Sequence, residues 1–289
     1  MTTLEQKIRI ARPNIKDITL NNYVRSIKVV IKRYTNLNIT NFTTKYLTYF
    51  NDSKKFLKWL DKVDVADSTK AAYLFSVITL LSLEKNKYNN VIKDYQFFYK
   101  NRIEALKKTP MNEQETLQWT TMNNLIEKTK QLSKDIKTFK KHRNYVIASL
   151  HTLQTPRRNI ARTLFITNKK PEKNSEKNWL VLSTPSYFVY DDQKVSKYNG
   201  ETVKINKNLE NILKNYITKY NLKNNEVLLP TKQSNNTIIT TGAYTKILKT
   251  YLGVSSSMIR KIYVSENTKP QITDMGNSTA TQYNHYKKK

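Results

Sequence analysis

Apolar residues recur at three- and four-residue intervals in the first part of this chain, give way to short β-rich runs between 162 and 205, and then return to helical spacing. Leu20, Tyr23, Ile27, Val30, Ile31 and Tyr34 trace one face of a helix that Thr19 is able to cap, with Arg25, Lys28, Lys32 and Arg33 off that stripe. A second helix opens at Asp52 or Ser53 and carries Phe56, Leu57 and Leu60. A third opens at Ser68 and presents Ala71, Tyr73, Leu74, Val77, Ile78 and Leu81. A fourth runs from about Tyr88 to Leu106, with Val91, Tyr95, Phe98 and Ile103 as its core face and Lys93, Lys100, Lys107 and Lys108 along or just beyond it.

The polar stretch Lys107–Glu115 contains Pro110, which disfavours helix at the residue before it, and reads as a linker. It divides the chain into a helical domain, 1–110, and a second domain, 111–289. In the second, Asn112 begins a helical pattern with Leu117, Trp119 and Leu125, and a longer helix spans about Ile136 to Leu153. Strands are expected at 162–167, 179–182, 187–190 and 201–205, separated by turn-rich stretches at 168–178 and 191–200. Helices resume at 208–220, 244–251 and 256–264. The expected fold class is mainly α with a small antiparallel β-sheet.

Charge changes this picture from a fold to a partner. Lysine and arginine number 51 against 22 acids, a net charge of +29. Such an excess repels itself in a compact state unless a polyanion neutralises it, and each cation placed on a phosphate releases a condensed counterion. Nucleic acid is therefore the expected partner, although an AT-rich coding bias also enriches lysine and asparagine. Cysteine is absent, which removes disulfides, thiol nucleophiles and cysteine-based zinc sites. His142, His151 and His285 are too scattered for a metal-ligand spacing, no P-loop occurs, and no cofactor is expected. No apolar run approaches the ~20 residues of a membrane span, and the start lacks an apolar leader, so an intracellular protein located wherever its DNA is handled is expected.

Four positions stand out for chemistry. Thr155-Pro-Arg-Arg-Asn159 breaks an apolar helix before the first strand; Lys194 lies in the turn 191–200; Arg260 sits on Ser257-Met-Ile-Arg260 between Ile259 and Ile262; and Tyr283 and Tyr286 follow Met275-Gly-Asn-Ser278. In this order they resemble the tyrosine recombinases, the phage-integrase family. There, an arginine follows a long helix and a lysine lies in a β-hairpin. A His-x-x-Arg helix, a Gly-His turn and a tyrosine nine residues further on complete the set. Arg157 or Arg158 matches the first arginine, Lys194 the lysine, and Ser257 and Arg260 the His-x-x-Arg pair with serine for histidine. Asn277 stands at the second histidine, and nine residues on from it is Tyr286. The lysine- and asparagine-rich style and the paired Pro-Arg-Arg are similar to divergent members in large DNA viruses, virophages and eukaryotic mobile elements.

The resemblance implies a catalytic domain preceded by a helical core-binding domain, double-stranded DNA as substrate, and a homotetramer on two duplexes. It implies that Tyr286 attacks a phosphodiester, two arginines hold the non-bridging oxygens, and Lys194 protonates the departing 5′-oxygen. The residues leave alternatives open. Arg157 and Arg158 both fit the first arginine, Lys197 shares the loop with Lys194, and Tyr283 is the second nucleophile candidate. Ser257 and Asn277 hydrogen-bond but do not shuttle protons near neutral pH, so a relative that binds DNA without cutting it is the non-enzymatic reading. A monomeric type IB topoisomerase is the second enzymatic one.

Overall fold

The computed structural model describes residues 3–38, 43–108, 110–157, 159–172, 175, 177–191 and 200–267. The chain forms two compact units, 1–109 and 110–289, each with its own hydrophobic core.

The first unit is helical. Helix α1 (Leu4–Ala11) starts at a capping box in which Thr3 and Gln6 satisfy each other's backbone N–H groups, and it buries Leu4 and Ile8. Helix α2 (Asp17–Thr35) begins two residues before Thr19, so that residue lies inside the first turn and Asp17 supplies the negative charge at the N-terminus. Its buried face is Leu20, Val24, Ile27, Val30 and Ile31, while Arg25, Lys28, Lys32 and Arg33 are exposed. After the single turn α3 (Lys45–Thr48), α4 (Ser53–Lys62) is capped by Asp52, whose carboxylate accepts from the Lys55 N–H. Helix α5 (Asp67–Leu81) starts one residue before Ser68 and buries every expected core position.

Helix α6 (Lys85–Lys108) differs from its sequence pattern. A non-helical residue at Tyr88 kinks it, and the inward face becomes Tyr88, Ile92 and Tyr95. Phe98 is one position off that face and is 43% exposed, beside Phe97 at 62%. Arg102 ties this helix to α4 and α5 through Asp61 at 2.7 Å and Asp67 at 2.8 Å. Inside, Tyr95 donates its hydroxyl hydrogen to the Phe50 carbonyl beneath the packed rings of Tyr34, Phe50, Phe56 and Trp59.

In the second unit the expected first helical pattern splits into α7 (Glu113–Leu117) and α8 (Met122–Ser133), capped by Asn112 and Thr121; Leu117 is 86% exposed rather than buried. Helix α9 (Phe139–Thr152) begins at its Thr138 cap, three residues after the expected start. Strands β1 (Leu164–Thr167), β2 (Asn178–Val181), β3 (Tyr187–Tyr190) and β4 (Glu201–Lys204) form one sheet in that order. Its last two pairs are antiparallel as expected, but β1 and β2 run parallel, so the sheet is mixed. The connection 168–177 permits this, since its extended reach of about 33 Å far exceeds the ~13 Å length of a four-residue strand. Helices α10 (Lys207–Tyr220), α11 (Thr241–Leu252) and α12 (Ser256–Glu266) follow, each with a side-chain N-cap. Leu164, Leu180, Phe188 and Val203 of the sheet pack with Val146, Leu150, Leu213, Leu248 and Ile259 of the helices. No helix among the described residues is long and apolar enough to cross a membrane.

Candidate active site

The site grows from the end of α9. Past Thr152 the chain turns through Leu153–Pro156, and Thr155 is tied to α12 by a hydroxyl contact with Tyr263 at 3.1 Å. Arg157 then enters the protein and is 5% exposed. Its two terminal nitrogens donate to the Glu201 carboxylate at 2.6 and 3.0 Å, and its guanidinium lies 4.1 Å from the centre of the Tyr190 ring. Glu201 fixes the direction of the fork through two hydrogen bonds, and the Tyr190 ring adds a cation–π contact.

Arg260 projects from the second turn of α12 and is fully buried. Ser255 caps that helix by accepting from the Met258 N–H, which aims the 256, 259, 260 face inward and leaves Ser257 exposed. The charge of Arg260 reaches His151, in the last turn of α9. Burial first, and Arg260 second, lower the imidazole pKa to about 3, so His151 is neutral at physiological pH. Its Nε2 shares a hydrogen bond of 2.9 Å with the Tyr244 hydroxyl of α11. Tyr244 and Tyr190 are both pushed up, by burial foremost, and the field of Tyr190 also raises Tyr244. Neither phenol ionises near neutrality. Arg157, Tyr190, Tyr244, His151 and Arg260 thus form one buried string, with a permanent cation at each end and neutral groups between.

The β3–β4 turn has a built base. Asp191, 2% exposed, accepts from the Ser175 N–H at 2.5 Å and from its hydroxyl at 3.0 Å, and its own N–H donates to the Asn178 side chain. Trp179 donates its indole N–H to the Ser175 hydroxyl. Gly200 closes the turn at φ +77°, which a glycine adopts without strain, and donates to the Tyr190 carbonyl at 2.9 Å. Glu201, the partner of Arg157, is the next residue.

The structure therefore brings Arg157 and Arg260 to one string and leaves Ser257 on the surface of α12. Arg158, Lys194, Asn277, Tyr283 and Tyr286 lie outside the described residues. Sequence reasoning missed Glu201, Tyr190, Tyr244 and the buried role of His151. The acid carried a usable signal: in a chain with 22 acids against 51 bases, a glutamate directly after a turn glycine at a strand start invites a cationic partner.

No protein-family model matches the chain, and no curated protein matches it. Among solved structures it is similar to one described as the crystal structure of XerA recombinase, at 13% identity and a TM-score of 0.37, with 99% of this chain and 92% of that chain covered.

Proposed function

We propose that this protein is a tyrosine-type site-specific DNA recombinase, a divergent member of the kind found in AT-rich mobile or viral DNA, acting as a tetramer on two duplexes. The observation that supports the reading is that Arg157 and Arg260 are both buried in the second unit and linked through Tyr190, Tyr244 and His151. Two fixed guanidiniums suit a phosphodiester, whose non-bridging oxygens gain charge as phosphorus becomes pentavalent. In this mechanism the Tyr286 hydroxyl gives its proton to water as its oxygen attacks phosphorus, and the bond from phosphorus to the 5′-oxygen breaks. Lys194 gives its proton to that oxygen, and a 3′-phosphotyrosyl link remains. Attack by a 5′-hydroxyl on the link, with the lysine taking the proton back, rejoins the strand and frees the tyrosine, whose oxygen regains its proton from water. The overall exchange of one phosphodiester for another is nearly isoenergetic.

The test is a nicked suicide duplex that traps the covalent adduct. Wild type is expected to form it, Tyr286→Phe to abolish it, and Arg260→Ala to reduce it by at least about a hundredfold, the scale of losing one oxyanion donor. An adduct that persists in Tyr286→Phe and vanishes in Tyr283→Phe moves the nucleophile to Tyr283. Relaxation of supercoiled DNA without site preference moves the protein to topoisomerase chemistry. A second reading, DNA binding without cleavage, is favoured by Ser257 and Asn277 at the histidine positions and by the carboxylate already seated on Arg157. Absence of any adduct on the protein's own site selects it.

A further inference from the structure

We infer that the Arg157 fork is an anion site whose place is held by the Glu201 carboxylate, and that a DNA phosphate binds there only by displacing it. This rests on the functional reading for its ligand, but the occupancy argument comes from the geometry alone. The Arg157 guanidinium carbon lies over the Tyr190 ring, 4.1 Å from its centre, and the donors of the fork lie in the guanidinium plane. In that plane the two terminal nitrogens both point at Glu201, in the two-bond arrangement that carboxylates and phosphates share. The side-chain exposures order the pair: Arg157 is at 5% and Glu201 at 25%, so the acid lies on the solvent side of the fork. Glu201 directly follows Gly200 at positive φ and is the first residue of β4, opposite Tyr190, so the acid stands at the end of the β3–β4 ladder rather than in its middle.

The consequence is selectivity. A tethered carboxylate competes at high effective concentration, so a lone phosphate does not displace it. A duplex held by many other cations delivers its phosphate at comparable effective concentration and does. Glu201 thereby makes Arg157 respond to a correctly seated duplex and ignore free anions. The rival account is an ion pair that only staples β4 to the turn after α9.

Three variants separate these: Glu201→Gln, Arg157→Gln, and the two combined. Glu201→Gln keeps the shape and one acceptor while removing the competing charge. It is expected to bind duplex DNA several-fold tighter than wild type, with a salt slope steeper by about 0.9, one phosphate's worth. The combined variant loses both gains. In parallel, inorganic phosphate is expected to raise the melting temperature of Glu201→Gln in a saturable way, and to do so neither in wild type nor in the combined variant. The inference is overturned if Glu201→Gln melts at a lower temperature but binds duplex and phosphate as wild type does. It is equally overturned if the gain survives without Arg157, which marks a general charge effect. A wild type that binds no duplex sinks the DNA reading, while the phosphate titration still decides the fork. Should Glu201→Gln fail to fold, Glu201→Asp, one methylene shorter, is expected to show an intermediate phosphate response, and a response equal to wild type counts against the inference.

Discussion

His151 shows at the residue scale how burial converts a common side chain into a pH-dependent liability. Its folded pKa lies at about 3 against an ordinary 6.5. An unfolded chain therefore takes up a proton below pH 6.5 that the folded chain refuses. Stability is unaffected above that pH and falls as pH drops toward 3, by up to about 1.4 kcal/mol per pH unit. Between pH 6.5 and 5 this one group is expected to cost about 2 kcal/mol in urea unfolding. His142, lowered by burial and by Lys219, adds to the trend, so the test is a difference: His151→Gln is expected to flatten the acid slope relative to wild type. An identical slope in both refutes the assignment. The sequence marked Arg157 and Arg260 because arginine is scarce among so many lysines. It did not mark His151 or Glu201, because nothing within a few positions of either names its partner; Tyr244 and Arg157 are 93 and 44 residues away.

At the scale of elements, most helices and all four strands were legible, because helical spacing and short β-rich runs are local properties. The failures share a cause. Thr19 resembles a cap, yet the backbone starts the helix at Asp17, and any polar residue in a first turn gives the same local pattern. Phe98 matched a core stripe, but the buried face runs one position away, through Tyr88, Ile92 and Tyr95, and both faces have the same apolar spacing. The direction of β1 against β2 is absent from strand composition, since parallel and antiparallel partners of a short apolar run look alike. Asn206 joins two elements at once. Its carbonyl oxygen accepts from the Leu209 N–H to cap α10, and its amide donates to the Leu153 carbonyl at the end of α9. Asn206→Ala is expected to cost about 1–2 kcal/mol in chemical denaturation. A loss below ~0.3 kcal/mol would show that water replaces both bonds.

At the scale of the whole molecule, each unit has its own core and the net charge is strongly positive. Because residues 110–289 enclose their own apolar cluster, that fragment is expected to fold alone with a cooperative melt; a fragment without such a transition contradicts an independent core. The net charge of +29 leads to a second expectation at this scale. Duplex affinity is expected to fall by about 10³–10⁵ between 50 and 200 mM salt, the range for 6–10 phosphate contacts. Filter binding or fluorescence anisotropy across that range checks it, and a shallow slope would mean that most lysines are solvated surface.

The sequence by itself determined the helical and strand content, the linker near Pro110 and the order of the cationic residues, because period, turn chemistry and charge are properties of neighbouring positions. Only the tertiary structure decided the mixed sheet, the inward face of α6, and the string that joins Arg157 to Arg260 through Tyr190, Tyr244 and His151. Those depend on groups brought together across many tens of residues, where burial sets the protonation state of each and no local pattern records which carboxylate will meet which guanidinium.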